Sequence, residues 1–166
     1  FLWTLCIWLI IKFLNSGKDR FLIYFGIAAG FALLNKYLSG LLFIGLLLII
    51  PFTRNRNIFK NRYFWTGIIA GGLIFLPNLI WQAAKGFPAF NHIAELYDAQ
   101  LVHMDVGTYL TEQLISPYAG SILVIGGLIF LLFSGKMKNF RFLGFLALFI
   151  IIALMLLKGK GYYTLG

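Results

Sequence analysis

The groups that could do chemistry in this chain are concentrated in one polar stretch, residues 77–117. Of the chain's five acidic residues four lie there, together with both histidines and one lysine: Glu95, Asp98, Asp105, Glu112, His92, His103 and Lys85. Carboxylates and imidazoles transfer protons, bind metal ions and hydrogen-bond to hydroxylated substrates. We therefore expect any chemistry of this chain to involve the polar stretch, while the apolar remainder holds it in place.

Two spacings within the stretch suggest specific sites. His92 and Glu95 would lie on neighbouring turns of a helix, where His103 and Asp105 could complete a metal site. Glu95 and Asp98 could form a pair of acid and base carboxylates. Both spacings are also common on solvated helices, and we favour surface polarity or hydrogen bonding to substrate. We expect no cofactor and no metal, with a divalent metal as the alternative.

A helix is expected to begin at Pro88, whose missing N–H costs nothing at the first helical position. Its apolar face would carry Phe90, Ile93 and Tyr97. Its polar face would carry the residues that we expect to contact substrate: Asn91, His92, Glu95 and Asp98. This pattern predicts an amphipathic helix on a membrane surface, followed by a second short helix over about residues 108–115.

The composition indicates an integral membrane protein. Hydrophobic residues make up 61% of the chain and charged residues 11%, against roughly 25% charged in soluble domains. The net charge of +9 comes from bases clustered at the ends of apolar runs, which is the pattern of cytoplasmic membrane loops. We therefore expect no nucleic-acid partner.

The apolar runs predict an all-α, polytopic transmembrane bundle. Its six segments cover about residues 1–14, 21–34, 38–52, 63–82, 117–133 and 142–157. Base-rich residues 53–62 and 134–141 are expected on the cytoplasmic side, and residues 83–116 as an external loop. We expect residues 1–166 to be part of one transmembrane domain, and the sequence to be an internal fragment of a longer protein in the plasma membrane.

Two basic groups outside the external loop are candidates for binding an anion. Lys36 lies where the second and third segments break, at Asn35-Lys36-Tyr37, and its ammonium either snorkels to the interface or holds an anion there. After the last segment, Lys158 and Lys160 precede Tyr162 and Tyr163. Ammonium and phenol donors together suit a lipid-linked phosphate or pyrophosphate, although an ordinary interfacial belt of Tyr and Lys is the simpler interpretation.

Three stretches together resemble the GT-C type membrane glycosyltransferases of family 39, which includes the dolichyl-phosphate-mannose protein mannosyltransferases and the aminoarabinose transferase of lipid A. They are Gly30-Phe-Ala-Leu-Leu-Asn-Lys36-Tyr37, similar to the family pattern G-x-x-x-L-S/T-K-Y; Leu76-Pro-Asn-Leu-Ile-Trp81 with Gly86-Phe-Pro-Ala-Phe; and Lys160-Gly-Tyr162-Tyr163. Asn35 stands where the family has Ser or Thr. The order and separation of the motifs match across nearly the whole chain.

The resemblance implies an enzyme that transfers a hexose or pentose from a polyprenyl-phosphate carrier to a lipid, glycan or protein at the extracytoplasmic face. It implies that Lys36, Lys160, Tyr162 and Tyr163 lie near the carrier phosphate. It also implies an inverting reaction whose general base is an acidic residue upstream of this sequence, so the catalytic residue is unknown here and the fragment is expected to be inactive alone.

Two other classes of protein fit a membrane chain of this kind. A transporter or flippase subunit would show broken helices with polar groups near the middle of the bilayer. A noncatalytic scaffold for envelope polysaccharide assembly would need no catalytic carboxylate. The charges here gather at the interfaces and one external loop is elaborated, which favours the enzyme.

Overall fold

The computed structural model describes residues 1–115, 117–118 and 120–165, with the side chains of all of these except His103 and Leu165. Every regular element within these ranges is helical, which confirms the all-α class. The chain forms two compact units, Phe1–Gly86 and Phe87–Gly166. That residues 1–166 belong to one transmembrane domain stays a prediction.

The N-terminal unit contains four α-helices: α1 (Leu2–Ser16), α2 (Arg20–Asn35), α3 (Ser39–Ile49) and α4 (Arg62–Ala84). Short 3₁₀ turns at Ile50–Phe52 and Arg56–Lys60 lead from α3 to α4. The sequence predicted a break at Asn35-Lys36-Tyr37, and α2 ends there because Lys36 adopts an extended backbone conformation.

Helices α2 and α4 contact each other along a seam of glycines, Gly26 and Gly30 against Gly67 and Gly71. A Cβ atom added to Gly26 would lie 1.9 Å from the carbonyl oxygen of Gly67, and one added to Gly71 would lie 2.2 Å from that of Gly26. Only residues without a side chain permit this approach of two backbones. Small residues such as Gly26 and Gly30 are compatible with close helix packing, but nothing in the sequence identifies the glycines of α4 as their partners.

The two base-rich turns of this unit are tied together by a hydrogen bond. Asn61 caps α4 by accepting from the backbone N–H of Tyr63 at 2.9 Å, and its amide donates to the carboxylate of Asp19 at 2.6 Å. Asp19 precedes α2 directly. The turn before α2 and the turn before α4 therefore lie at the same end of the helix pair, as expected for two loops on one side of a membrane.

In the described part of the chain, α4 is the helix whose own length and hydropathy suit a membrane span. Its 23 residues, at about 1.5 Å each, exceed the roughly 30 Å thickness of the hydrocarbon core. The surface of α4 exposes large apolar side chains, including Trp65, Ile69 and Leu73. This span supports membrane association. The six predicted spans are not confirmed, because four of the apolar helices are only 10–17 residues long: α1, α2, Ser39–Phe52 and Arg141–Leu156.

The C-terminal unit contains α5 (Pro88–Ala99), α6 (Val106–Ile115), α7 (Gly120–Phe133) and α8 (Arg141–Leu156). Short 3₁₀ turns cover Leu101–His103, Gly135–Met137 and Gly161–Leu165. Within the described residues, α6 followed by α7 is a second candidate span if the bent pair crosses as one. The buried side chains come mainly from α8, and Tyr109 of α6 joins them by donating a hydrogen bond to the carbonyl of Ile151 at 3.0 Å.

Candidate functional site

The residues around Lys36 form a polar cluster at the end of α2. The hydroxyl of Tyr37 donates to the side-chain oxygen of Asn78 at 2.6 Å and accepts from the amide of Gln82, also at 2.6 Å. Asn78 and Gln82 are four residues apart on α4, so they lie one above the other on the same face. The cluster therefore fixes the residue next to Lys36 against the last turns of α4.

A second pair of bonds holds the chain just after Lys36. The hydroxyl of Ser39, which is buried, donates to the carbonyl of Ala32 at 3.1 Å and accepts from the indole N–H of Trp3 at 2.9 Å. The turn between α2 and α3 is thus anchored to both flanking helices and to α1. Lys36 is exposed on this anchored turn, a position suited to an anion that approaches from outside the unit.

Helix α5 begins at Pro88, as the sequence predicted. All four substrate-contacting candidates on it are exposed: Asn91, His92, Glu95 and Asp98. Its apolar side chains are exposed as well, with 67% of Phe90 and 51% of Ile93 accessible. The helix contributes no buried residue to its unit. This agrees with an amphipathic helix whose apolar face is largely exposed on its own unit.

The C-terminal lysines return to the end of α5. The ammonium of Lys158 donates to the carbonyl of Val102 at 3.1 Å and lies 5.9 Å from the ring centre of Tyr97. The ammonium of Lys160 donates to the side-chain oxygen of Gln100. The tail therefore contacts the polar stretch within this unit, and Gln100 is a partner that nothing in the sequence singles out.

The two tyrosines of the tail form a contacting pair. Their rings are perpendicular with centres 4.9 Å apart, and 49% of Tyr162 is exposed. Burial raises the pKa of Tyr163 above its ordinary value of 10.0, and the charge and hydrogen bond of Tyr162 raise it further. The phenol of Tyr163 is protonated at neutral pH and can donate a hydrogen bond.

The carboxylates of the polar stretch differ in their hydrogen-bond partners. Asp105 caps α6, where its two oxygens accept from the backbone N–H and the hydroxyl of Thr108 at 3.0 and 2.6 Å. Glu112 accepts a hydrogen bond from the backbone N–H of Gly161 at 2.8 Å. Glu95 and Asp98 stay on the exposed surface of α5.

For the metal site considered from the sequence, no group of three His, Cys, Asp or Glu side chains that could hold an ion occurs among the described residues. The side chain of His103, one of the suggested ligands, lies outside the described part of the chain. The engagement of Asp105 with Thr108 gives that carboxylate a structural role instead.

The structure joins two of the three motifs on which the family resemblance rests. Tyr37 belongs to the first motif and Asn78 to the second, and their side chains are hydrogen-bonded. Sequence reasoning selected Lys36 but missed Asn78 and Gln82, although two amides near the end of an apolar helix were a visible signal. The third motif, at Lys160 to Tyr163, lies in the other unit.

Comparison with known proteins gives one finding, which concerns the N-terminal unit. No curated protein and no solved structure matches the chain. Residues 1–81, which include the Lys36 motif and Asn78, match a family model described as dolichyl-phosphate-mannose-protein mannosyltransferase. The resemblance drawn from the motifs is therefore confirmed over residues 1–81, which are similar to the dolichyl-phosphate-mannose-protein mannosyltransferase family.

Proposed function

We propose that this chain is part of a membrane glycosyltransferase that moves a sugar from a polyprenyl-phosphate carrier to a lipid, glycan or protein acceptor at the extracytoplasmic face of the plasma membrane. The observation that carries the proposal is the family match over residues 1–81. The hydrogen bonds from Tyr37 to Asn78 and Gln82 support it, because they build a defined polar turn around Lys36.

The reaction would need cationic and phenolic donors at the leaving phosphate. The acceptor hydroxyl loses its proton to the general base that the family resemblance implies and attacks the anomeric carbon, the bond between that carbon and the phosphate oxygen breaks, and negative charge develops on the phosphate. Donors already in place at that oxygen stabilise the transition state more than the ground state. We assign this role to Lys36, Lys160, Tyr162 and Tyr163, whereas the polar face of α5 would contact the sugar or the acceptor.

Replacing Lys36 tests the assignment to the carrier phosphate. The substitution Lys36→Met keeps the length of the side chain and removes its charge. A charge-assisted hydrogen bond contributes about 1.5–3 kcal/mol, so we expect carrier affinity to fall about 10-fold to 150-fold. Binding of a polyprenyl monophosphate to the purified intact protein in detergent would measure it.

The matched control for this experiment is Lys85→Met. Lys85 is exposed at the end of α4, in the same unit, and we assign it no role. We expect its replacement to leave affinity unchanged. Equal losses in both variants, or no loss in either, would make Lys36 an interfacial anchor and remove the phosphate from this turn.

The extracytoplasmic face is proposed from the distribution of charge, since the turn at residues 53–62 carries bases and no acid. In a background where Cys6 is replaced by Ser, a cysteine at Asp98 should react with an impermeant maleimide added outside the cell. A cysteine at Asn57 should react only after the membrane is opened. Both positions are exposed on their own units, and the reverse labelling pattern would refute the proposed face.

A further inference from the structure

We infer that Glu112 and Gln113 of α6 form a clamp that positions the phosphate-binding segment Lys160 to Tyr163. The inference rests on the proposed function, because it gives these two residues a part in the same carrier site. The carboxylate of Glu112 accepts from the backbone N–H of Gly161 at 2.8 Å. The amide of Gln113 donates to the carbonyl of the same glycine, also at 2.8 Å.

The clamp has a second contact at the other end of the segment. The side-chain oxygen of Gln113 accepts from the hydroxyl of Thr164 at 2.6 Å. Both backbone polar groups of Gly161 and the hydroxyl three residues later are thus bonded to adjacent residues of one helix. Tyr162 and Tyr163 lie between these attachment points, so their backbone is held from both sides.

Gly161 is the residue that allows the clamp to close. A Cβ atom added to Gly161 would lie 2.4 Å from the Cβ atom of Glu112, closer than two such carbons can approach. The backbone of the tail therefore lies directly against α6. The glycine between the lysine and the tyrosines, which the motif alone left unexplained, is required by this contact.

This geometry assigns Glu112 to positioning. One carboxylate oxygen, Oε2, accepts from the backbone N–H of Gly161 and so holds the backbone of the tail. Lys160, next to the clamped glycine, donates to a neutral side chain, that of Gln100. Its positive charge is therefore not neutralised by that partner and remains available to an anion.

The charge of Glu112 and its hydrogen bond make opposite predictions, which gives a decisive test. If Glu112 acted on the site only as a nearby negative charge, removing it would strengthen phosphate binding. If it acts as a clamp, Glu112→Ala releases the segment and weakens binding. Glu112→Gln retains an acceptor oxygen at the same distance without the charge, so the clamp predicts affinity at least equal to that of the unmodified protein.

We would measure binding of a polyprenyl monophosphate to the intact protein in lipid nanodiscs, with inorganic phosphate as a competitor to separate headgroup from chain recognition. Loss of one hydrogen bond to a charged group predicts a drop of about 10-fold for Glu112→Ala. In turnover assays the KM for the carrier should rise while kcat changes little. Glu112→Gln should restore both values.

Two outcomes would overturn the clamp: unchanged or tighter binding by Glu112→Ala, or equal weakening by the alanine and glutamine variants. If Glu112→Ala does not fold, as judged by its thermal midpoint, Thr164→Val decides. That variant keeps the shape of the side chain and removes the hydroxyl bonded to Gln113. Weaker binding at an unchanged midpoint supports the clamp, and unchanged binding refutes it.

A variant of Lys160 separates failure of the clamp from failure of the proposed function. If Lys160→Met leaves carrier binding unchanged, the tail does not bind the phosphate and the proposed function of this segment is wrong. If Lys160→Met weakens binding and Glu112→Ala does not, the tail binds phosphate without needing the clamp.

Discussion

The two units of this chain are held together by different kinds of contact. In the N-terminal unit, α2 and α4 meet backbone to backbone at Gly26 and Gly67, and a buried apolar core extends from α1 to α4. In the C-terminal unit, α5 and α7 bury none of their described residues, and side chains of α6 hold the C-terminal tail by hydrogen bonds to its backbone.

The two kinds of contact differ in how easily they can rearrange. Contacts between backbones leave no side chain that could change its conformation, so the N-terminal unit presents Lys36 on a rigid frame. Hydrogen bonds from Glu112 and Gln113 to a tail can break one at a time at small cost.

The largest effect is expected where the rigid contact is broken. Gly26→Ala places a methyl group against the carbonyl of Gly67, and the helices must separate. Overpacking of this kind costs typically about 1–3 kcal/mol and occasionally more. We expect a clearly lowered thermal midpoint in detergent, together with loss of carrier binding.

The control for this prediction is Gly72→Ala on α4, next to Gly71 of the seam. No atom lies within 4 Å of a Cβ added there. Alanine is favoured over glycine within a helix by about 0.5–1 kcal/mol. The control should therefore keep or slightly raise the midpoint, and equal losses in both variants would mean that the seam contributes no special stability.

The helices of the N-terminal unit could be predicted from the sequence for a physical reason. Long apolar runs and the polar residues between them determine where helices begin and end, and the break at Asn35-Lys36-Tyr37 is evident from its polar residues. Which glycines face each other was not visible. Gly26 and Gly67 are far apart in the chain, and their pairing depends on how the helices rotate against each other.

The residues of the candidate site could be predicted only in part, for a related reason. Lys36 and the Lys160 to Tyr163 segment stand out by residue type, and the family motifs draw attention to them. Gln82 donates a hydrogen bond to Tyr37, and Gln113 bonds to both Gly161 and Thr164. An amide in an apolar stretch can be noticed by its type, but its partner is distant in the chain, so its role becomes apparent only when the partner is known.

The smallest effect concerns the cap of α6, an exposed contact in the adjustable unit. Hydrogen bonds from the hydroxyl and the backbone N–H of Thr108 lower the pKa of Asp105 below its ordinary value of 3.8. A carboxylate with a lowered pKa in the folded state stabilises that state fully above pH 3.8. The contribution is lost as the pH falls through the lowered pKa, because the group is then protonated in both states.

Amide hydrogen exchange across residues 106–112, corrected for the intrinsic effect of pH, would measure this loss as reduced protection of the first turn of α6. Asn is about as good a cap as Asp and does not titrate in this range. Asp105→Asn should therefore keep its protection as the pH falls. All other groups are the same in both proteins, so the difference between them isolates Asp105. If the two proteins lose protection in parallel, the cap at Asp105 is not the acid-sensitive contact of α6.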